Sequence, residues 1–191
     1  MRIVAGRFRG RALAAPPGAA TRPTADRVRQ ALFDQLWHAP WAGRALINGA
    51  TVLDAFAGTG ALGLEALSRG AARVTFIERD RAALAALRAN IAALKIGPEA
   101  RILPADALRP PRAEAPCTLL FLDPPYGQEL GPAALAALAA GGWIAPAALA
   151  CLEVGRDESS PALPGWELLA ERGHGAARML ILRAEQAFTT S

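Results

Sequence analysis

Lysine is almost missing from this chain: Lys95 stands alone among 21 basic residues in a total of 191. Cysteine and histidine occur twice each. Cys117 and Cys151 lie in apolar runs, which reads as two buried thiols and excludes a disulfide framework. A reducing compartment follows. His38 and His174 are isolated, and no Cys/His cluster has metal-ligand spacing, so no metal is expected. The start lacks the apolar core of a signal peptide, and its glycines, prolines and missing serine argue against a transit peptide. Charge is absent from residues 130–152, long enough to raise a membrane span. Pro132, Gly141, Gly142 and Pro146 interrupt that run, so a helix, a turn and a strand are expected. The chain reads as a cytoplasmic protein with no membrane contact.

The length suits one domain with a sizeable core. The hydrophobic fraction of 52% and the mean hydropathy of +0.20 owe much to alanine. Charge is segregated. Residues 1–29 hold arginines 2, 7, 9, 11, 22, 27 and 29 against Asp26 alone, a net of +6 within a total of +4. A composition that favours arginine explains the scarcity of lysine, but not arginine without acid at one end. A basic arm on a near-neutral body is the electrostatic footprint of polyanion binding.

The arm, about residues 1–20, reads as a small hairpin with turns at Gly6 and Gly10. Residues 21–191 read as the main domain. Thr24 is expected to cap a helix over 25–37, with Val28, Leu32 and Leu36 on one face, and 40–49 reads as a connection. Strand–helix units follow: strands at 51–55, 73–77, 101–104, 118–122 and 149–154, helices at 60–68, 81–94 and 133–140. A hairpin over 166–172 and 178–183 closes the chain. This alternation predicts an α/β fold, a doubly wound, Rossmann-like, mostly parallel sheet of seven strands.

Three strands end in acid: Asp54, Glu78 and Asp106 follow the first, second and third. Gly58-Thr59-Gly60-Ala-Leu-Gly63 matches the dinucleotide fingerprint, which keeps a nicotinamide oxidoreductase open. Asp54 ahead of the glycines is an awkward neighbour for a pyrophosphate and suits a positively charged ligand. A carboxylate can accept both ribose hydroxyls and another an exocyclic adenine N–H, which describes a nucleoside site. Asp123-Pro124-Pro125-Tyr126 follows the fourth strand. Its prolines remove two donors, leaving a ledge of acceptors with an aromatic face to stack a base. Such a ledge suits an amino group.

Asp54, Gly58, Gly60, Glu78 and the Asp-Pro-Pro-Tyr run, in this order, resemble a class I S-adenosylmethionine-dependent N-methyltransferase. The start through Gly10, the segment Arg22-Pro-Thr-x-Asp-Arg-Val-Arg29, Phe56 through Arg69 and the Gly142-Trp143 turn resemble the bacterial small-subunit rRNA guanine-N2 methyltransferases. The likeness covers nearly the whole chain and is weaker over 98–116 and 155–175. It implies methylation of the exocyclic N2 amine of one guanine in 16S rRNA, as free rRNA, an assembly intermediate or the small subunit. S-adenosylmethionine would then be held by Asp54, Phe56, Gly58, Thr59, Gly60, Glu78, Arg79, Asp106 and Ala107. Asp123, Pro124, Pro125 and Tyr126 would hold the base, and Arg7, Arg9, Arg11, Arg22, Arg27 and Arg29 the phosphates. DNA adenine N6 and protein glutamine N5 methylation share the ledge and stay as alternatives. No dimer signature stands out, so a monomer is expected.

Overall fold

Burial of both faces of the central strands explains the architecture. In the computed structural model, which describes residues 1–16, 23–42, 44–125, 127–158 and 162–185, β1 (Thr51–Ala55), β2 (Arg73–Glu78), β3 (Ala100–Pro104), β4 (Cys117–Leu122), β5 (Ile144–Gly155), β6 (Trp166–His174) and β7 (Ala177–Ala184) form one sheet. Their order is β3-β2-β1-β4-β5-β7-β6. The first five are parallel, and β7 runs antiparallel to both β5 and β6. Successive strand residues point to opposite faces, so Val52, Leu119 and Phe121 join one apolar cluster while Leu53, Leu120 and Leu122 join the other. Helices α1 (Pro23–His38), α3 (Ala61–Ser68) and α4 (Arg81–Leu94) cover the first face, and α5 (Leu130–Ala140) the second. The carboxyl ends of β1, β2, β3 and β4 therefore share one edge.

Local chemistry sets the bounds. α4 starts where the Asp80 carboxylate accepts the Ala83 N–H at 2.8 Å and ends at Lys95, whose φ of 57° is left-handed. α1 begins at Pro23, ahead of the expected 25. A first-turn proline lacks an N–H that would have no partner anyway, so Thr24 lies inside the helix and is not its cap. A four-residue helix, α2 (Arg44–Ile47), occupies the stretch expected to be a plain connection.

The uncharged stretch from 130 divides as expected into α5, the Gly141-Gly142 turn and β5. No helix among the described residues is long and apolar enough to cross a membrane. β5 is much longer than the expected 149–154. Its pairing with β4 slips between Cys117–Ile144 and Leu119–Leu149, which lets Pro146, without a donor, sit in the strand. Both cysteines are free and buried, and burial pushes the Cys117 thiol up to about 12.

The N-terminal residues do form a hairpin, with Arg2 bridged to Ala12 and the Ile3 N–H donated to the Arg11 carbonyl at 3.0 Å. It is seated on α3. The Val4 and Ala5 N–H groups donate to the Glu65 carboxylate at 2.8 and 2.9 Å, and Phe8 N–H to the Ser68 hydroxyl at 3.0 Å. Gly6 comes so near that a Cβ there would lie 1.9 Å from the Ser68 carbonyl oxygen. Ile3 and Leu13 are buried in the core of that face.

Candidate active site

β1 delivers Asp54 to the edge of the sheet, and the chain then turns through Phe56, Gly58 and Gly60, at φ 59°, 54° and 81°, into α3. A Cβ on Gly60 would fall 2.4 Å from Leu87, and one on Gly63 2.5 Å from Phe76. Those two glycines let the helix close onto the sheet. A Cβ on Gly58 would meet nothing within 4 Å, so this glycine borders open space.

The amides of the three glycines are already bonded. Gly63 N–H donates to the Asp54 carboxylate at 2.8 Å and Gly58 N–H to Glu78 at 2.7 Å, while Gly60 N–H donates to the Ala57 carbonyl at 2.7 Å. A pyrophosphate needs such donors free. The arrangement therefore speaks against the nicotinamide alternative. Glu78 also accepts the N–H groups of Arg79 and Asp80, so three of its roughly four acceptor positions are filled. One remains on Oε2. Asp106 accepts Leu108 N–H at 3.0 Å and pairs with Arg79 at 2.8 Å.

A cavity of about 580 Å³ is lined by Phe56, Glu78, Arg79, Asp106, Ala107, Asp123, Pro124 and Pro125. Thus eight of the expected site residues share one space. Asp54 lies beneath it, 2% exposed. Thr59 is tied down through its carbonyl, which accepts the Asn90 amide at 3.0 Å. Tyr126 and Arg22 fall outside the described residues.

The electrostatics are lopsided. No ion pair among the described residues reaches Asp54, Glu78 or Asp123. Burial pushes the Asp54 carboxyl well above its ordinary range; the Gly63 N–H pulls it back, and the charges of Asp123 and Glu78 push it further up. Asp123 is raised to about 7, by the protein packed round it and then by the charge of Glu153. The Asp123 side chain is still exposed at the cavity mouth, and water there works against the rise. Such a site suits a ligand that carries positive charge and hydrogen-bond donors.

One result follows without any ligand. A carboxylate raised in the folded state lowers stability as pH climbs from its unfolded value, about 3.9, toward its folded one. Asp54→Asn removes that cost and keeps an oxygen for Gly63. The free protein should then melt higher at neutral pH, by about 2–4 °C per kcal/mol relieved, with the gain vanishing near pH 4. Thermal scans of both proteins across pH check this; a variant that melts lower at pH 7 contradicts it.

The expected phosphate contacts divide. Arg9 and Arg27 are exposed with no ion pair among the described residues. Arg7 is exposed but pairs with Glu99 at 2.8 Å, and Arg11 donates to the Ala93 carbonyl at 3.1 Å. Arg29 must be corrected. Its side chain is 4% exposed, donates to Asp26 and the Arg2 carbonyl and lies 3.5 Å from Glu65, so it holds the hairpin and offers nothing to a phosphate.

The chain matches the family model described as "Conserved hypothetical protein 95" over residues 1–183. It is 40% identical over 187 residues to ribosomal RNA small subunit methyltransferase D of Escherichia coli, covering 97% of this chain and 90% of the relative. The protein of the same name from Haemophilus influenzae is 37% identical, over 92% and 89%. This chain belongs to that methyltransferase family. Among solved members of the same fold, the yhhF protein of Escherichia coli superposes with a TM-score of 0.83 at 38% identity, covering 97% and 98% of the two chains. A Thermus thermophilus protein, TTHA0928, does so at 0.72 and 31%, over 95% and 98%.

Membership makes the protein a methyltransferase. The structure adds residues that the motifs do not contain. Glu153 sits beside Asp123 and raises it. Asn90 accepts Ala14 N–H at 2.7 Å and donates to Thr59, tying the N-terminal segment to the glycine turn. Glu65 holds the hairpin. Both Glu65 and Asn90 are polar residues on otherwise apolar helix faces, and that mismatch is the signal that could have found them. Glu158, which accepts the Gly127 N–H just after the acceptor ledge, carries no such sign.

Proposed function

We propose that the protein transfers a methyl group from S-adenosylmethionine to the exocyclic N2 amine of a guanine in 16S rRNA, acting in the cytoplasm. The observation that carries this reading is the ledge of Asp123, Pro124 and Pro125 opening into the same cavity as Glu78 and Asp106. The residues fit the cofactor: a sulfonium and an ammonium answer the unpaired negative charge round Asp54, Glu78 and Asp123. When bound, it supplies an electrophilic methyl group.

The chain's own residues do the rest. Glu78 offers its remaining acceptor position to a ribose hydroxyl, Asp106 an acceptor to the adenine edge, and Gly58 leaves room for the backbone to approach. Asp123 and the Pro124 carbonyl accept hydrogen bonds from the guanine amine, a poor nucleophile because its lone pair is delocalised into the ring. Acceptors off the ring plane favour a more tetrahedral nitrogen and stabilise the positive charge that develops on it. Holding that nitrogen in line with the methyl group contributes much of the remaining acceleration. Tyr126 stacks the base, which must leave its helix to reach the ledge. Arg9 and Arg27 meet the phosphates, so binding weakens with salt.

Glu78→Ala should weaken S-adenosylmethionine binding about 10- to 150-fold, the worth of about 1.5–3 kcal/mol for bonds to a charged group. Calorimetry measures it, and an unchanged affinity removes Glu78 from the cofactor site. The whole reading is tested with labelled cofactor on protein-free 16S rRNA and on small subunits from cells lacking the enzyme. N2-methylguanosine among the digested nucleosides is the expected product. Methyladenosine, or label in protein or DNA alone, overturns the guanine assignment.

A further inference from the structure

A second cleft, of about 780 Å³, lies between α1 and the β6–β7 hairpin. Its floor is apolar, formed in part by Leu32 and Met179, and Trp41 forms part of one wall. Arg27 and Arg172 line it, both exposed and both without an ion pair among the described residues. No carboxylate among the described residues lines it. The cleft is thus electropositive, and its volume falls in the range of about 300–1,000 Å³ typical of small-ligand sites.

It also adjoins the methyl-transfer site. His174, in its lining, places Nε2 3.6 Å from the Glu153 carboxylate, and Glu153 is the residue whose charge acts on Asp123. One residue of β5 thus stands between the two cavities. A strand that delivers a flipped base to Asp123 must lay its neighbouring nucleotides on the surface beside it, and on this side that surface is the cleft. Single-stranded RNA is gripped by stacking bases on aromatic rings while cations track the backbone. Trp41 with Arg27 and Arg172 supplies both.

We propose that this cleft is a second nucleotide-binding site, which receives the nucleotide adjoining the target, its base against Trp41 and its phosphates on Arg27 and Arg172. This rests on the rRNA reading above. An acidic protein segment is the competing occupant, which the same two arginines would also attract; continuity with the reacting base selects the RNA.

The test compares the unaltered enzyme with Arg27→Gln/Arg172→Gln, Trp41→Phe and Trp41→Ala on protein-free 16S rRNA and on small subunits. The double arginine variant should raise KM for protein-free rRNA about tenfold or more and flatten the dependence of log affinity on log salt by about 1.4, two contacts at roughly 0.7 each on a single strand. Trp41→Ala should weaken RNA binding about 5- to 150-fold, the range of one base stack, with Trp41→Phe near the unaltered enzyme. S-adenosylmethionine affinity should stay unchanged in all three, which separates this site from the cofactor cavity and reports an intact fold. Unchanged KM and salt slope overturn the proposal. A loss confined to assembled subunits, with protein-free rRNA unaffected, also overturns it and assigns the cleft to a protein partner. If the unaltered enzyme methylates neither RNA, the rRNA reading itself has failed and takes this one with it.

Discussion

Asp123→Ala should lower kcat by about 10²–10³, the loss found when one preorganised electrostatic contact to the developing charge is removed, while S-adenosylmethionine still binds. The reason is position. Asp123 directly follows β4, the neighbour of β1, and lines the cavity with Pro124 and Pro125. Its carboxyl is raised to about 7, by the surrounding protein first and by Glu153 second. The useful acceptor is the carboxylate, so the free enzyme loses it as pH falls through that value. kcat/KM should rise with pH and level off above about 7–8. Glu153→Gln removes the second cause, and the rising limb should then move to lower pH. Two results would remove Asp123 from its role: undiminished turnover in the alanine variant, or a limb that ignores both substitutions.

Glu65→Ala should cost about 3–5 kcal/mol, the penalty for stripping one partner from a buried ion pair, against a total stability of about 5–15 kcal/mol. Glu65 is fully buried. It accepts Arg69 Nε at 2.8 Å and two hairpin amides, and lies 3.5 Å from Arg29 Nε. Its removal leaves two guanidinium groups, 4% and 7% exposed, facing an apolar gap. Glu65→Gln keeps the shape and one acceptor oxygen and should cost less. Chemical denaturation measures both, and a loss under about 1 kcal/mol in the alanine variant would show that the network does little to hold the hairpin.

The sheet was legible because its strands are short apolar runs separated by helices with a clear apolar face: Leu84, Leu87, Ile91 and Leu94 mark α4 by spacing alone. The first half of β5 was hidden by Pro146, which reads as a break until the slipped pairing with β4 makes room for it. α2, four residues long, is too short for any periodicity. The carboxylates at strand ends were legible for a topological reason, since parallel strands deliver their ends to one edge. Their bonding was not. That Glu78 clasps Gly58, 20 residues earlier, depends on how β1 and β2 lie side by side. Asp26, three residues earlier, announces a pairing for Arg29, but its burial against Glu65 on a different helix and the Arg2 carbonyl is announced by no local pattern.

The hairpin's seat on α3 also fixes an order of events during synthesis. Val4 finds its partner 61 residues later, at Glu65. At translation rates of about 5–20 residues per second, the first segment made waits about 3–12 seconds for the helix that receives it. Its four arginines, at 2, 7, 9 and 11, are meanwhile carried on a chain without Glu65, beside the anionic ribosome that is making it. The earliest residues thus cannot be locked in place until Glu65 has been made.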